Sequence, residues 1–436
     1  MLRSPSSCAS LLLAAVLLGT PAAALQGGSG LGALWIVDEN GRAGSQFSDL
    51  PEAFAAADDG DAILLRSGSY QAVHVDQKAV SVFAEPGADI QLTGGGLSFE
   101  DTPLGTPLVL SGLGNSGAVK GPWHFEEVRG PLLLQDCRVT SGPSGPLATQ
   151  SEPAVTLDDV ADTFIDTSRL TGSAGLDWGG ATTVGSSPAV EMEGGRLFVY
   201  HSQLIGGEGS HGSTINDVVV QAGDGADALV LHGGRSYLVG STLQGGSGGN
   251  ADLTAGSGCG DGGDGGPALH LATDNPWARL DSVVTFAGQG GQAKPGCQPG
   301  QQGLVLEYDS GTFGILSPLA PPPTFSVPSV AREHEVLPVE FRGEPGELVF
   351  WMTTAMPVPA EVGGWGGLLL DSLNGNVTPM GLLPANGKLS TAISSPDLVM
   401  PGECAFAFQQ AAFLDANTGI VRLSSARATL LVDQSQ

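Results

Sequence analysis

The sequence has few positive charges for its length. Its 436 residues include 17 Lys and Arg against 45 Asp and Glu, which gives a formal net charge of −28 at pH 7. Because a surface this acidic repels phosphate, electrostatic binding of nucleic acid is excluded. The charge is typical of a soluble extracellular protein, and it also suits a divalent cation or a basic partner.

Long apolar runs are also missing, apart from "LLLAAVLL" at residues 11–18. That run is too short to span a bilayer. With Arg3 before it and the small residues "AAA" at 22–24 after it, it predicts a secretory signal over 1–24. We therefore expect a secreted protein, extracellular or at the cell surface, without a transmembrane segment.

Helical periodicity is absent from the middle of the chain, where glycine is frequent. Four segments resemble one another there, and they begin at Pro153, Pro188, Asp227 and Pro267. Each starts with apolar residues two positions apart, the period of a strand with one buried face. A unit of this size cannot bury its apolar face alone, so we expect the units to stack as coils of a repeat protein.

Two columns recur in the second strand of each unit. The aromatic column contains Phe164, Phe198 and Tyr237, which we expect to form core. The column of small residues contains Ser168, Ser202, Ser241 and Ser282, with Cys137 at the equivalent place upstream. Between units lie glycine-rich tracts, which are expected to be loops that close each coil.

The stretch "FSDLPEAFAAADDGDAILLRSGSY" predicts a helix followed by a strand, a turn and a strand. It resembles the opening of pectin-lyase-like right-handed parallel β-helix proteins, in which a helix caps the first coil ahead of a "GD-x-I-x-x-x-x-G-x-Y" element. The matching residues are Asp61, Ile63, Gly68 and Tyr70. The resemblance implies an all-β protein with a right-handed parallel β-helix over 25–316. It does not assign an activity, because this fold hosts lyases, hydrolases, epimerases and non-enzymes.

The last part of the chain has a different composition. A Pro-rich stretch at 317–330 predicts an extended linker. Short alternating strands with turn signals follow over 331–436. Their spacing predicts a small C-terminal β-sandwich module.

Two acidic glycine-rich tracts, "GDGAD" at 223–227 and "GDGGD" at 260–264, precede repeat starts. Stacking would bring Asp224, Asp227, Asp261 and Asp264 onto adjacent coils. Carboxylate and carbonyl oxygens are the ligands that Ca²⁺ prefers, so these aspartates are candidate calcium ligands. The alternative is that they are solvated turn residues.

Cys259 and Cys297 precede their repeat starts by similar distances. They are expected on neighbouring coils, within disulfide reach in an oxidising compartment. A zinc site is not predicted, because there is no second CxxC and the histidines show no metal-ligand spacing.

One polar column points to a ligand. Arg196 and Arg235 each lie six residues before the recurring serine, and Asp162 takes that place one coil earlier. Two stacked arginines repel each other and attract an anion such as a sugar carboxylate, so these three are candidate substrate-binding residues. The alternative is a surface turn with one ordinary ion pair.

The sequence favours a monomeric secreted repeat protein with a structural or binding role at the cell exterior. Extracellular polysaccharide and the cell envelope are the candidate partners. The alternative is a polysaccharide lyase or glycoside hydrolase acting on acidic polysaccharide. Asp158 and Asp159 could imitate the paired acids of β-helix polygalacturonases, but the N-x-D and R-x-K elements of those enzymes are missing. Their absence favours binding over catalysis, and no catalytic residue is assigned.

Overall fold

The computed structural model describes residues 31–114, 117–142, 151–177, 183–215, 218–252, 259–316, 321–362, 366–370, 375–395 and 403–433. The signal predicted for 1–24 lies outside these residues. Among them, no helix has the length and apolar character needed to cross a membrane.

Three parallel sheets take their neighbouring strands from successive repeats, and one passage through the sheets is called a coil here. Sheet I contains β1 (Leu31–Val37), β2 (Ala62–Leu65), β5 (Ser81–Ala84), β8 (Leu108–Ser111), β11 (Pro131–Gln135), β14 (Asp162–Asp166), β19 (Arg196–Tyr200), β24 (Arg235–Val239), β27 (Trp277–Asp281) and β30 (Thr312–Leu316).

Each coil enters through sheet II and leaves through sheet III. Sheet II contains β4 (His74–Asp76), β7 (Ser98–Glu100), β10 (Trp123–Glu126), β13 (Val155–Asp158), β18 (Val190–Glu193), β23 (Leu229–His232), β26 (Leu269–Leu271) and β29 (Leu306–Tyr308). Sheet III contains β9 (Val119–Lys120), β12 (Arg138–Thr140), β15 (Arg169–Thr171), β20 (Gln203–Ile205), β25 (Thr242–Gln244) and β28 (Val284–Phe286).

The apolar pairs seen in the sequence point into the coils. Val155, Val190, Leu229 and Leu269 pair in register along sheet II and belong to one continuous buried core. At the turn into sheet III, each small hydroxyl accepts a hydrogen bond from the coil below. The Cys137 N–H donates to Ser168 Oγ at 3.0 Å, and the Ser168 N–H donates to Ser202 Oγ at 3.0 Å.

A short helix, α1 (Leu50–Ala56), covers the first coil, as the sequence predicted. Asp49 is its N-cap, and the Asp49 side chain accepts a hydrogen bond from the Leu50 N–H. Leu50 and Phe54 are buried on the face toward the coils, and the Phe54 ring lies 5.9 Å from the Phe99 ring. The helix thereby shields the apolar end of the stack.

Three small two-stranded pairs decorate the coils. They are β3 (Gly68–Gln71) with β6 (Ile90–Thr93), β16 (Leu176–Asp177) with β17 (Thr183–Val184), and β21 (Ser213–Ile215) with β22 (Val218–Val220).

The C-terminal part is built from β31 (Thr324–Ser326), β32 (Val330–Arg332), β33 (Val336–Arg342), β34 (Leu348–Thr354), β35 (Pro357–Val362), β36 (Gly366–Leu370), β37 (Asn376–Leu382), β38 (Lys388–Ser394), β39 (Glu403–Leu414) and β40 (Val421–Val432). Strands β31, β33 and β38 form one antiparallel sheet. The long β39–β40 hairpin pairs with β34 and, through β39, with β1, so sheet I continues into this part of the chain.

The glycine-rich tracts between sheets III and II form two stacked layers instead of the expected loops. Segments leaving sheet III bond side by side, as in Gly209 N–H to Ser247 O at 2.8 Å. Segments returning to sheet II bond across to them, as in Gly263 N–H to Gly249 O at 2.9 Å. The bonds recur every three residues, the period of an extended threefold helix. The backbone itself is therefore the packed material here.

Close approach of backbones explains why these positions are glycine. A Cβ at Gly263 would lie 1.9 Å from Gly223 O, and one at Gly249 would lie 1.8 Å from Ser210 O. Both distances are far below van der Waals contact, so no side chain fits.

Candidate functional site

The outer face of sheet I carries three columns of side chains in register. The first contains Asp162, Arg196, Arg235 and Trp277, and the second contains Phe164, Phe198, Tyr237 and Arg279. The third contains Asp166, Tyr200, Val239 and Asp281. Neighbours within a column are about 4.8 Å apart along the stack.

Asp162, Arg196 and Arg235 lie in one column, as their spacing predicted. Arg196 forms a bidentate ion pair with Asp162, with Nε 2.6 Å from Oδ1 and Nη2 2.9 Å from Oδ2. Burial raises the pKa of the Asp162 carboxyl, and the Arg196 guanidinium opposes that shift. The charge of Arg196 is thus matched by Asp162. Arg235, on the next coil, is exposed.

Trp277 and Arg279 extend this arginine column into a larger surface, named here the arginine–tryptophan face (Arg235, Trp277 and Arg279). Trp277 is in register with Arg235, and Arg279 is in register with Tyr237. The Tyr237 and Trp277 rings have centroids 4.9 Å apart. Trp277 and Arg279 are partly exposed. Guanidinium groups beside an aromatic ring can hold an anionic group and the apolar face of a sugar together.

Comparison of the repeats in the sequence did not identify Trp277 and Arg279, because it placed them out of register with Arg235 and Tyr237. Leu229 pairs with Leu269, yet Arg235 pairs with Trp277, so the turn of the later coil holds two more residues. Asp274 and Asn275 both have positive φ in that longer turn. The prediction that Ser282 belongs to the serine column is wrong, since Thr242 pairs with Val284 and Ser282 takes the positive-φ turn position.

The other end of the same face is covered by the C-terminal part. Phe406 and Phe408 join Phe83, Phe164 and other outward residues of sheet I in a second buried cluster. Phe164, Phe198 and Tyr237 therefore form core, as the sequence predicted, but this core lies outside the coils, between sheet I and the C-terminal part. Their ring centroids are 4.7 and 5.2 Å apart along the column.

Backbone contacts complete this cover. A Cβ at Gly367 would lie 2.5 Å from Phe198 Cδ1, so only glycine lets the β35–β36 hairpin approach the ring. The Gly367 N–H donates to the Tyr200 hydroxyl at 3.2 Å. The cover therefore reaches β19, the strand that pairs with the Arg235 strand β24.

A buried charge cluster joins the two parts of the chain. Arg427 of β40 forms ion pairs with Asp136 and Asp166, and Arg427 Nη1 lies 3.5 Å from Asp166 Oδ2. His201 Nδ1 lies 3.7 Å from Asp166 Oδ1. Burial raises the pKa of Asp136, against the attraction of Arg427. These groups depend on one another because each would be costly to bury alone.

The four aspartates predicted as calcium ligands lie on the returning glycine layer. Asp224 Oδ1 accepts from the Asp264 N–H at 2.7 Å, and Asp264 Oδ1 accepts from the Gln301 N–H at 2.6 Å. Asp261, three residues before Asp264, caps the Gln298 N–H in a separate column at 2.8 Å. These carboxylates supply the hydrogen bonds that the glycine layer cannot make to itself.

Asp227 turns away from the other three aspartates. Its Oδ2 lies 3.0 Å from His270 Nδ1, and burial raises the pKa of its carboxyl. Among the described residues, no three of these four aspartates bring their ligand atoms within 4.8 Å of one another. Calcium binding at these aspartates stays a prediction.

Cys259 and Cys297 lie at disulfide distance, with their sulfurs 2.07 Å apart. They are the pair that the repeat spacing predicted. Cys137 and Cys404 are buried thiols. Burial raises the pKa of the Cys137 thiol to about 12, so it is an inert core residue at neutral pH.

Comparison with known proteins leaves the family open: no protein-family model, curated protein or solved structure matches this chain.

Proposed function

We propose that the chain is an extracellular binding protein that holds acidic polysaccharide on the arginine–tryptophan face. The observation that carries the proposal is the position of Arg235, Trp277 and Arg279 on adjacent strands of one face. The whole chain has only 17 Lys and Arg and a net charge of −28. A local group of arginines therefore gives an anionic ligand one of few favourable places to bind.

We further propose that residues 25–316 form a right-handed parallel β-helix of the pectin-lyase-like type and that 331–436 form a β-sandwich module. The parallel sheets, the capping helix α1 and the in-register columns support the first assignment. The disulfide-distance pair Cys259–Cys297 supports an oxidising, extracellular location.

Binding fits the geometry better than catalysis. Arg196 is held at both carboxylate oxygens of Asp162, so it is not available to a substrate. Among the described residues, the end of the face at Arg235, Trp277 and Arg279 offers exposed or partly exposed arginine side chains and an aromatic ring. An arginine side chain stays protonated and is suited to recognising carboxylates.

Affinity electrophoresis tests this function directly. The protein is run through two gels, one that contains the polyuronide polygalacturonate and one that contains a neutral glucan. We expect retardation by the polyuronide, weakened by added salt, and no retardation by the neutral glucan. Equal mobility in both gels would contradict the proposal, and release of unsaturated sugar from the polyuronide would replace it with the lyase alternative.

A further inference from the structure

The outer face of sheet II carries histidines beside a column of carboxylates. Asp76, Glu100, Glu126 and Asp158 stack in one column, and His74, Ser98 and His124 stack in the column beside it. Like charges about 4.8 Å apart repel one another, so this column gains from a bound cation.

Three of these side chains converge. One ligand atom each from Glu100, His124 and Glu126 lies within 4.8 Å of the other two. His124 Nε2 lies 3.4 Å from Glu126 Oε2. Two ligands of a tetrahedral zinc ion with bonds of 2.0–2.1 Å are about 3.3 Å apart, so this pair is already spaced for a shared ion.

Neighbouring groups hold Glu100 in place. The Ser98 hydroxyl donates to Glu100 Oε1 at 3.3 Å, and His74 Nδ1 lies 3.4 Å from the same oxygen. Metal-binding carboxylates are commonly oriented by hydrogen bonds of this kind. His74 and Ser98 are therefore positioning residues for the carboxylate.

Among the residues that the structure describes, the other histidine–carboxylate contacts on sheet II do not converge in this way. His270 uses its two nitrogens on opposite sides, with Nδ1 3.0 Å from Asp227 and Nε2 3.3 Å from Asp309. His232 Nε2 lies 3.2 Å from one carboxylate, that of Glu191. The next column of acids is partly neutralised, since Arg129 pairs with Asp101 and Glu127.

We propose that Glu100, His124 and Glu126 bind a zinc ion, with a water molecule as the fourth ligand. Imidazole nitrogen together with carboxylate oxygen is a donor set typical of zinc, whereas calcium takes oxygen ligands alone. All three side chains are partly exposed, so an ion can enter from solvent. This site was not predicted from the sequence, because its ligands come from two strands that only the register of sheet II brings together.

Isothermal titration of the untagged, chelator-treated protein with zinc chloride tests the site. We expect one zinc ion per chain, at least tenfold weaker binding in His124→Ala and in Glu100→Gln, and a smaller loss in His74→Ala. His232→Ala is the matched control, because it removes a histidine from the same face that contacts a single carboxylate. Thermal melting of each metal-free variant checks that it is folded.

The proposal is overturned if the protein takes up no zinc, if His124→Ala binds as tightly as the parent, or if His232→Ala loses as much affinity. Calcium binding at the same site with equal affinity would also overturn it, since a histidine would then contribute nothing.

Discussion

The outer faces of sheets I and II belong to the same coils but carry opposite chemistry. Sheet I presents aromatic and arginine columns, and the C-terminal part covers one end of them. Sheet II presents a carboxylate column with histidines beside it. Because each coil repeats the same positions, a residue type that recurs at one position forms a continuous column on the surface. The difference favours the proposed anion binding on sheet I and the proposed cation binding on sheet II.

The covered end of sheet I depends most on Arg427. Arg427→Ala leaves the buried Asp166 and the partly buried Asp136 without their cation, so we expect the free energy of unfolding to fall by about 3–5 kcal/mol in urea denaturation. Arg342→Ala is the control, because it removes an equal charge from an exposed pair with Glu340 and is expected to cost below about 1 kcal/mol. Equal losses in both variants would show that the cover is not held by this cluster.

The glycine layers connect sheet III of one coil to sheet II of the next, so their packing supports both faces. Gly263→Ala puts a methyl group against Gly223 O in the glycine layers, and we expect a loss of about 1–3 kcal/mol in the same denaturation experiment. At Gly117 a Cβ would have no neighbour within 4 Å, so Gly117→Ala should change stability little. Similar effects of the two changes would contradict close backbone packing.

The pH dependence of stability sharpens the comparison, with the smallest effect. Burial raises the pKa of Asp136, Asp162 and Asp227 above 3.8, so the folded protein holds more protons than the unfolded chain between 3.8 and the raised values. Their burial penalty is therefore relieved as the pH falls from 7 through that window. The carboxyls whose pKa is lowered in the folded protein, such as Asp38 and Asp415, stabilise the fold when they are ionised. Their contribution to stability is lost only at more acidic pH.

We expect the urea midpoint to rise as the pH is lowered from 7 through the raised pKa values, and Asp136→Asn to flatten that rise. A midpoint that falls steadily on mild acidification would show that the buried carboxyls do not control the profile.

Part of this architecture was predictable from the sequence because side-chain periods encode it. Leu229 and Leu231, two positions apart, predict a strand face that points into the coil. The column of Asp162, Arg196 and Arg235 follows from their equal spacing to the recurring serines. The pairing of Cys259 with Cys297 follows from the same repeat logic. Each of these signals is local to one coil or to two adjacent coils.

The remaining features could not be predicted, because they depend on turn lengths and on long-range or backbone contacts that the spacing of side chains does not reveal. The two extra residues of the Asp274–Asn275 turn concealed Trp277 and Arg279. The burial of Phe198 arises from Gly367, which is distant in the chain. The glycine layers leave no apolar period, since their contacts are made by backbone.

The most direct test is isothermal titration of an oligouronide into two double variants. Arg235→Ala with Arg279→Ala removes two arginines beside Trp277. Arg138→Ala with Arg169→Ala removes two stacked, exposed arginines from sheet III. We expect the first to weaken binding at least about tenfold and the second to leave it nearly unchanged. Equal weakening by both would mean that the ligand senses net charge alone, and would contradict an arginine–tryptophan binding face.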